Sequence, residues 1–231
     1  MIRKLILALT FILPSLAYAV DMDGYYITAK GGISKTSDTG VTSYYEQGTT
    51  FSFGDDDLGT GYAAGLSVGK YITNNIRIEL EAMQRGSYEY DVTLLPSGGG
   101  EFKANISSQS LFINGLYDFN GFSVGNGSIS PYIGGGVGIS KNDMGNSIVS
   151  NNGVPNGNIL DGQTISQFAY KLAAGTLISM TENVSVDINY QYVNLGSFKS
   201  NTTYTDGTLD IPMSGGKIKT QELMVGLQYK F

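Results

Sequence analysis

The chain contains no cysteine, no histidine and no tryptophan. Without cysteine a disulfide scaffold is excluded, and without histidine as well the usual donor set of a structural zinc site is missing. The commonest general base of hydrolytic sites is absent too, and no other constellation points to catalysis. The expectation is a protein that is not an enzyme and that needs no cofactor and no metal. Basic excess is also lacking: 14 Lys and Arg stand against 20 Asp and Glu, a formal charge of −6. That balance argues against nucleic acid as a partner, which requires a basic footprint. After the N-terminal segment no apolar run is long enough to cross a bilayer as a helix.

The N-terminal segment has the order of an export signal. Arg3 and Lys4 precede the apolar run Leu5 to Leu13, and Ala17-Tyr18-Ala19 forms a small-residue cleavage site. Residues 1–19 are therefore expected to be a removed signal peptide, and residues 20–231 a single β-barrel domain.

What the chain has in quantity is glycine, 32 residues, and tyrosine, 16. Both suit an all-β protein with close strand contacts and an aromatic girdle. Period-2 alternation recurs in eight stretches: about 25–34, 61–70, 76–90, 107–119, 131–141, 167–179, 184–192 and 222–231. The third is the clearest. Ile76, Ile78, Leu80 and Ala82 take one parity, and Arg77, Glu79, Glu81 and Arg85 the other. In the fourth, Phe112 and Leu116 fall on the polar parity and break the pattern. Tight turns are expected at Thr73-Asn74-Asn75 and Thr181-Glu182-Asn183, with a fairly short connection at Asn120–Ser128. They alternate with long connections at Lys35–Thr60, Asp91–Lys103, Asn142–Thr164 and Asn194–Gly216. Short turns at one end and long loops at the other predict an eight-stranded antiparallel up-and-down transmembrane β-barrel.

Alternation does not say which face is inside. A soluble lipocalin-like barrel would bury the apolar set; a membrane barrel inverts it. Glycine and alanine crowd the polar parity, where a narrow interior needs room for long side chains. Aromatics sit near strand ends on the apolar parity: Tyr25, Tyr62, Tyr88, Tyr117, Phe119, Phe168, Tyr190, Tyr192, Tyr229 and Phe231. The last strand, with Leu227, Tyr229 and the terminal Phe231, resembles the assembly signal that outer-membrane proteins present to the barrel-assembly machinery.

The stretch FAYKLAAGTLISMTENVSVDINYQYVNLGSF, from Phe168 to Phe198, resembles the small outer-membrane β-barrel group of opacity-type porins and bacterial surface antigens, and so does Pro131 to Gly138. The resemblance implies a surface protein of a Gram-negative outer membrane, in contact with outer-membrane lipid and lipopolysaccharide. Such a protein displays long loops as an antigen or adhesin toward a host or environmental ligand. The alternative is a narrow porin or a carrier for small solutes.

The polar constellation expected inside the barrel is Lys30, Arg77, Glu79, Glu81, Arg85, Lys171, Asp187 and Glu222. These residues either line a narrow water path or pair with one another as a plug. Eight strands leave little lumen, which favours the plug. Asp55-Asp56-Asp57 reads as a solvated acidic turn, and Gly134 to Gly138 as strand, without the Lys-Ser/Thr ending of a phosphate loop.

Overall fold

The computed structural model describes residues 23–37, 43–46, 49–53, 58–95, 100–125, 127–151, 154–199 and 216–231. The expected signal peptide and Asp55-Asp56-Asp57 lie outside them. Eight long strands form the barrel wall. They are β1 (Tyr25–Thr36), β2 (Thr60–Tyr71), β3 (Ile76–Leu95), β4 (Gly100–Asp118), β5 (Gly127–Met144), β6 (Gln163–Ser179), β7 (Val184–Ser197) and β8 (Lys217–Lys230). Each pairs antiparallel with its sequence neighbours. β1 pairs with β8 from Tyr26↔Lys230 to Thr36↔Thr220, so the sheet closes. Closure leaves no open edge in the wall.

The two faces of the wall follow the alternation. The apolar parity faces outward: Ile33, Val68, Ile78, Leu80, Ile113, Val137, Leu172 and Leu227 are exposed. The charged parity faces inward: Arg77, Glu79, Glu81, Arg85, Lys171, Asp187 and Glu222 are buried. This is the reverse of a soluble barrel and the arrangement a bilayer demands. On the outward face a polar row, Gln84–Gln109–Lys141–Ser166, runs across four neighbouring strands in register. Outward aromatics at Tyr117, Phe119 and Tyr229 mark the opposite end. The nine residues of β4 from Gln109 to Tyr117 thus bridge the two boundaries, and a spanning strand needs about 9–11.

The two expected tight turns share one construction. Thr73 Oγ1 accepts from the Asn75 and Ile76 amides at 3.2 and 3.0 Å. Thr181 Oγ1 does the same for Asn183 and Val184 at 3.3 and 3.0 Å. A threonine hydroxyl that accepts these amides substitutes for a backbone turn partner.

Three expectations need correction. Tyr88 was assigned to the outward aromatic girdle, but it is fully buried. The β3–β4 register shifts between Arg85 and Tyr88, and Ser87 there has φ 61°. A bulge of this kind inserts a residue and reverses which parity faces the lumen beyond it. Second, the long connections contain regular structure. β3 and β4 stay paired as far as Leu94↔Gly100. Ser43–Glu46 pairs with Thr49–Phe53 in the first connection, and Ser147–Asn151 with Val154–Leu160 in the third. Their polar composition and short length hide these strands from a search for apolar alternation. Third, Asn120–Ser128 contains the strand Phe122–Val124, which folds back onto β5.

Candidate functional site

The interior is where the sequence concentrates its chemistry, and it is built in levels along β3. Lowest is Arg77. Its guanidinium donates from Nη2 to Asp118 Oδ1 at 2.9 Å, and Nε lies 2.8 Å from Oδ2 as an ion-pair contact without hydrogen-bond geometry. Three tyrosine rings surround it, with centroids 5.5 Å away at Tyr26, 5.6 Å at Tyr71 and 5.0 Å at Tyr132. A cation over ring faces in a dry site is stabilised by the ring quadrupoles. Tyr26 fits because Gly69 stands opposite it on β2, where any Cβ would run into the phenol.

The next level centres on Glu81. Its two oxygens accept from Lys30 Nζ at 2.7 Å and Lys171 Nζ at 2.5 Å. Lys30 also reaches Glu79 at 3.3 Å. Glu79 accepts in addition from Tyr26 OH and Asn114 Nδ2, each at 3.2 Å. The Lys171 ammonium lies 5.5 Å from the centre of the Phe112 ring. Phe112, which broke the apolar pattern of its strand, faces inward opposite Gly138 of β5.

Above a small apolar layer of Ala63, Met83 and Met224 sits Glu222, with Arg85. Glu222 accepts from Arg85 Nε at 2.6 Å and Nη2 at 3.1 Å, Ser34 at 2.9 Å, Thr220 at 2.7 Å and Gln191 at 2.5 Å. Arg85 Nη1 donates to Ser110 at 2.7 Å. Tyr88, brought inside by the bulge, lies 2.5 Å from the Ser34 hydroxyl.

All eight residues of the expected constellation lie in this interior. Seven join ion pairs, and Asp187 differs: among the described residues its carboxylate has no cation within ion-pair distance and accepts instead from Tyr132 OH at 2.7 Å and Asn189 Nδ2 at 3.2 Å. Sequence reasoning missed Asp118, Tyr26 and Tyr132 as members of the network. A signal existed for the two tyrosines, since each faces a glycine on the neighbouring strand, Gly69 and Gly175.

The loop end of the interior holds a cluster of buried apolar side chains beside buried Ser108, Ser140 and Asn142, which the alternation did not reveal. Leu58, Ile106, Met144, Leu195, Phe198 and Ile218 are almost wholly buried there. The end of β7 is held over this cluster. Leu195 O accepts from Ser140 Oγ at 2.5 Å and Asn142 Nδ2 at 2.8 Å, and Asn142 Nδ2 also reaches Ser197 O at 2.8 Å. The intervening Gly196 has φ +79°, a conformation that favours glycine.

Between the charged levels the space is small. The void bounded by Lys30, Glu79, Asn114, Asp187 and Asn189 measures about 10 Å³, room for about one water. The larger space is a polar basin of about 970 Å³ at the short-turn end, below Arg77, lined by Lys70, Asp118, Glu182 and Lys230. Among the described residues no group of three or more Asp and Glu side chains is placed to hold a metal ion.

Comparison with known proteins agrees with this architecture. A family model described as an outer membrane protein β-barrel domain matches residues 5–231. The outer membrane protein PagN of Salmonella typhimurium is 26% identical over 236 residues, covering 93% of each chain. A Rickettsia conorii protein described as a candidate adhesin is 26% identical, over 74% of this chain and 68% of its own. Among solved structures, Neisserial surface protein A superposes with a TM-score of 0.55 at 18% identity, covering 90% of this chain and 98% of that one.

Proposed function

The chain belongs to the outer-membrane β-barrel domain family, and from that premise we propose that it is a non-conducting surface barrel whose work is done by the loops it displays, as an adhesin or surface antigen. The observation that carries this reading is the interior packed closed above its polar basin. Charged side chains pair across it, and apolar side chains close its loop end. Buried charges that satisfy one another act as packing, so the charge network is read as a plug that holds the wall rigid. Function then resides in the connections that a rigid scaffold presents. The similarity to a candidate adhesin lends support. The outer-membrane setting makes lipid and lipopolysaccharide the immediate surroundings of the apolar face. Leu227, Tyr229 and Phe231 serve as the strand by which the barrel-assembly machinery takes up the chain, and no catalysis is assigned.

The test is electrical recording from the mature protein refolded in planar bilayers, with folding verified by heat-modifiable gel migration. Silence is expected. Steady single-channel steps that shift when Arg77 or Glu81 is neutralised would overturn the plug and restore the porin reading. Binding of cells or matrix by the folded protein, lost on deleting individual loops, is the matching positive result.

A further inference from the structure

The end of β8 has a counterpart inside the chain. Leu223, Val225, Leu227, Tyr229 and Phe231 form the outward parity of the last strand, and Leu111, Ile113, Gly115, Tyr117 and Phe119 form that of β4. The likeness extends to geometry. Tyr229 and Phe231 meet edge to face at 5.2 Å and 79°, and Tyr117 and Phe119 at 5.3 Å and 82°. The backbone between each pair of rings is held alike. Asn183 Nδ2 donates to Lys230 O at 2.8 Å, and Asn75 Nδ2 to Asp118 O at 2.8 Å. The amides of Lys230 and Asp118 donate to Asn183 O and Asn75 O, again at 2.8 Å each. Both asparagines close the Thr-x-Asn turns described above, one strand pair upstream of the aromatics.

An aromatic girdle alone does not explain this. Four strands run toward the short-turn end, β2, β4, β6 and β8. The ends of β2, Val68 to Ile72, and β6, Leu177 to Met180, carry no outward aromatic pair. The pattern falls on the two strands that complete a half of the barrel: β4 ends the first four, β8 the last four. In the closed wall neither has a free edge. Before its following neighbour pairs, each has one: β5 is the strand that covers β4, and β1 the strand that covers β8. An unpaired edge exposes a row of N–H and C=O groups that must be covered to avoid wrong pairing.

We propose that the end of β4, through Tyr117 and Phe119, is a second recognition element for the assembly machinery, engaged while β4 is still an edge. The partner chemistry is a strand edge flanked by an apolar seat for two aromatic rings, the same that would accept Tyr229 and Phe231. The proposal rests on the reading of the C-terminal strand given above.

The test compares full-length Tyr117→Ala/Phe119→Ala and Tyr229→Ala/Phe231→Ala with the unmodified chain along two routes. One is assembly into proteoliposomes that contain the purified machinery; the other is unassisted folding into thin phosphatidylcholine vesicles. Both are followed by heat-modifiable migration. Each variant should lose about tenfold in assisted rate, the scale of an aromatic contact, while its unassisted rate stays within about twofold. A peptide of residues 111–119 should inhibit assisted assembly as one of residues 223–231 does. If the β4 variant assembles normally while the β8 variant fails, the internal element is refuted and the C-terminal reading stands. If the β4 variant slows both routes equally, its aromatics serve only the bilayer boundary. If the β8 variant also assembles normally, the C-terminal reading falls, and this proposal with it.

Discussion

Glu222 is inaccessible to solvent, yet Arg85, Ser34, Thr220 and Gln191 together supply five donors to its two oxygens. A carboxylate so placed is tolerated because its partners replace its hydration, and removing one partner leaves the other charged and unpaired. Glu222→Ala should therefore destabilise the folded barrel by about 3–5 kcal/mol, read as a lower urea midpoint in lipid vesicles. The double change Glu222→Met with Arg85→Met should recover most of that loss, because two apolar side chains of similar volume need no partner. Failure of the double variant to recover would mean that the pair fixes geometry as well as filling space. At this scale the sequence was partly informative. The parity of Arg77, Glu79, Glu81 and Arg85 put them on one face with no structure in hand. Which carboxylate meets which cation depends on the stagger between strands, and no single strand carries that information. Hence Asp118 was overlooked as the partner of Arg77, and Asp187 was expected in an ion pair but binds a phenol.

At the scale of elements, the wall was legible wherever one face meets lipid and the other a packed lumen, since burial then enforces strict alternation. Strands without strict alternation, such as Ser147–Asn151, read as loop. The bulge at Gly86 and Ser87 was equally hidden, because one inserted residue looks like ordinary sequence. Its consequence is testable. Ser87 has φ 61°, a region that disfavours residues bearing a Cβ by about 1 kcal/mol. Ser87→Gly should raise stability by about that amount, whereas deleting Ser87 should send Tyr88 outward and break its contact with Ser34. Tyrosine fluorescence quenching by lipid-borne quenchers distinguishes the two orientations. In the short turns, Asn75→Ala or Asn183→Ala removes one hydrogen bond to the neighbouring strand, worth about 0.5–1.5 kcal/mol. The two losses should be similar, since the bonds are equal in length, and chemical unfolding of each single variant compares them directly.

For the whole molecule, the separation of a polar lower interior from an apolar upper one sets the expectations. Replacing Leu195 and Phe198 with serine should leave the wall intact and loosen the loop end. The change should appear as faster proteolysis of the connections while the heat-modifiable band persists. Conductance should stay absent, because the ion pairs below are untouched; steps in this variant would show the apolar layer to be the only seal. Overall architecture was accessible from the chain alone, through closure, strand number and the inverted faces. The apolar layer was not, because Leu195 and Ile218 lie just beyond the alternating stretches, in segments that read as loop.

The paired charges and the apolar layer above them have a consequence for the cell that carries the protein. Adhesion strengthens with the number of contacts, so under the proposed role the protein gains from being made in many copies. A hollow barrel produced at such density would turn the envelope into a sieve and admit detergents and antibiotics with each molecule added. A barrel stoppered as proposed has no such penalty. Its copy number can rise with the demand for attachment while the permeability of the envelope stays as it was.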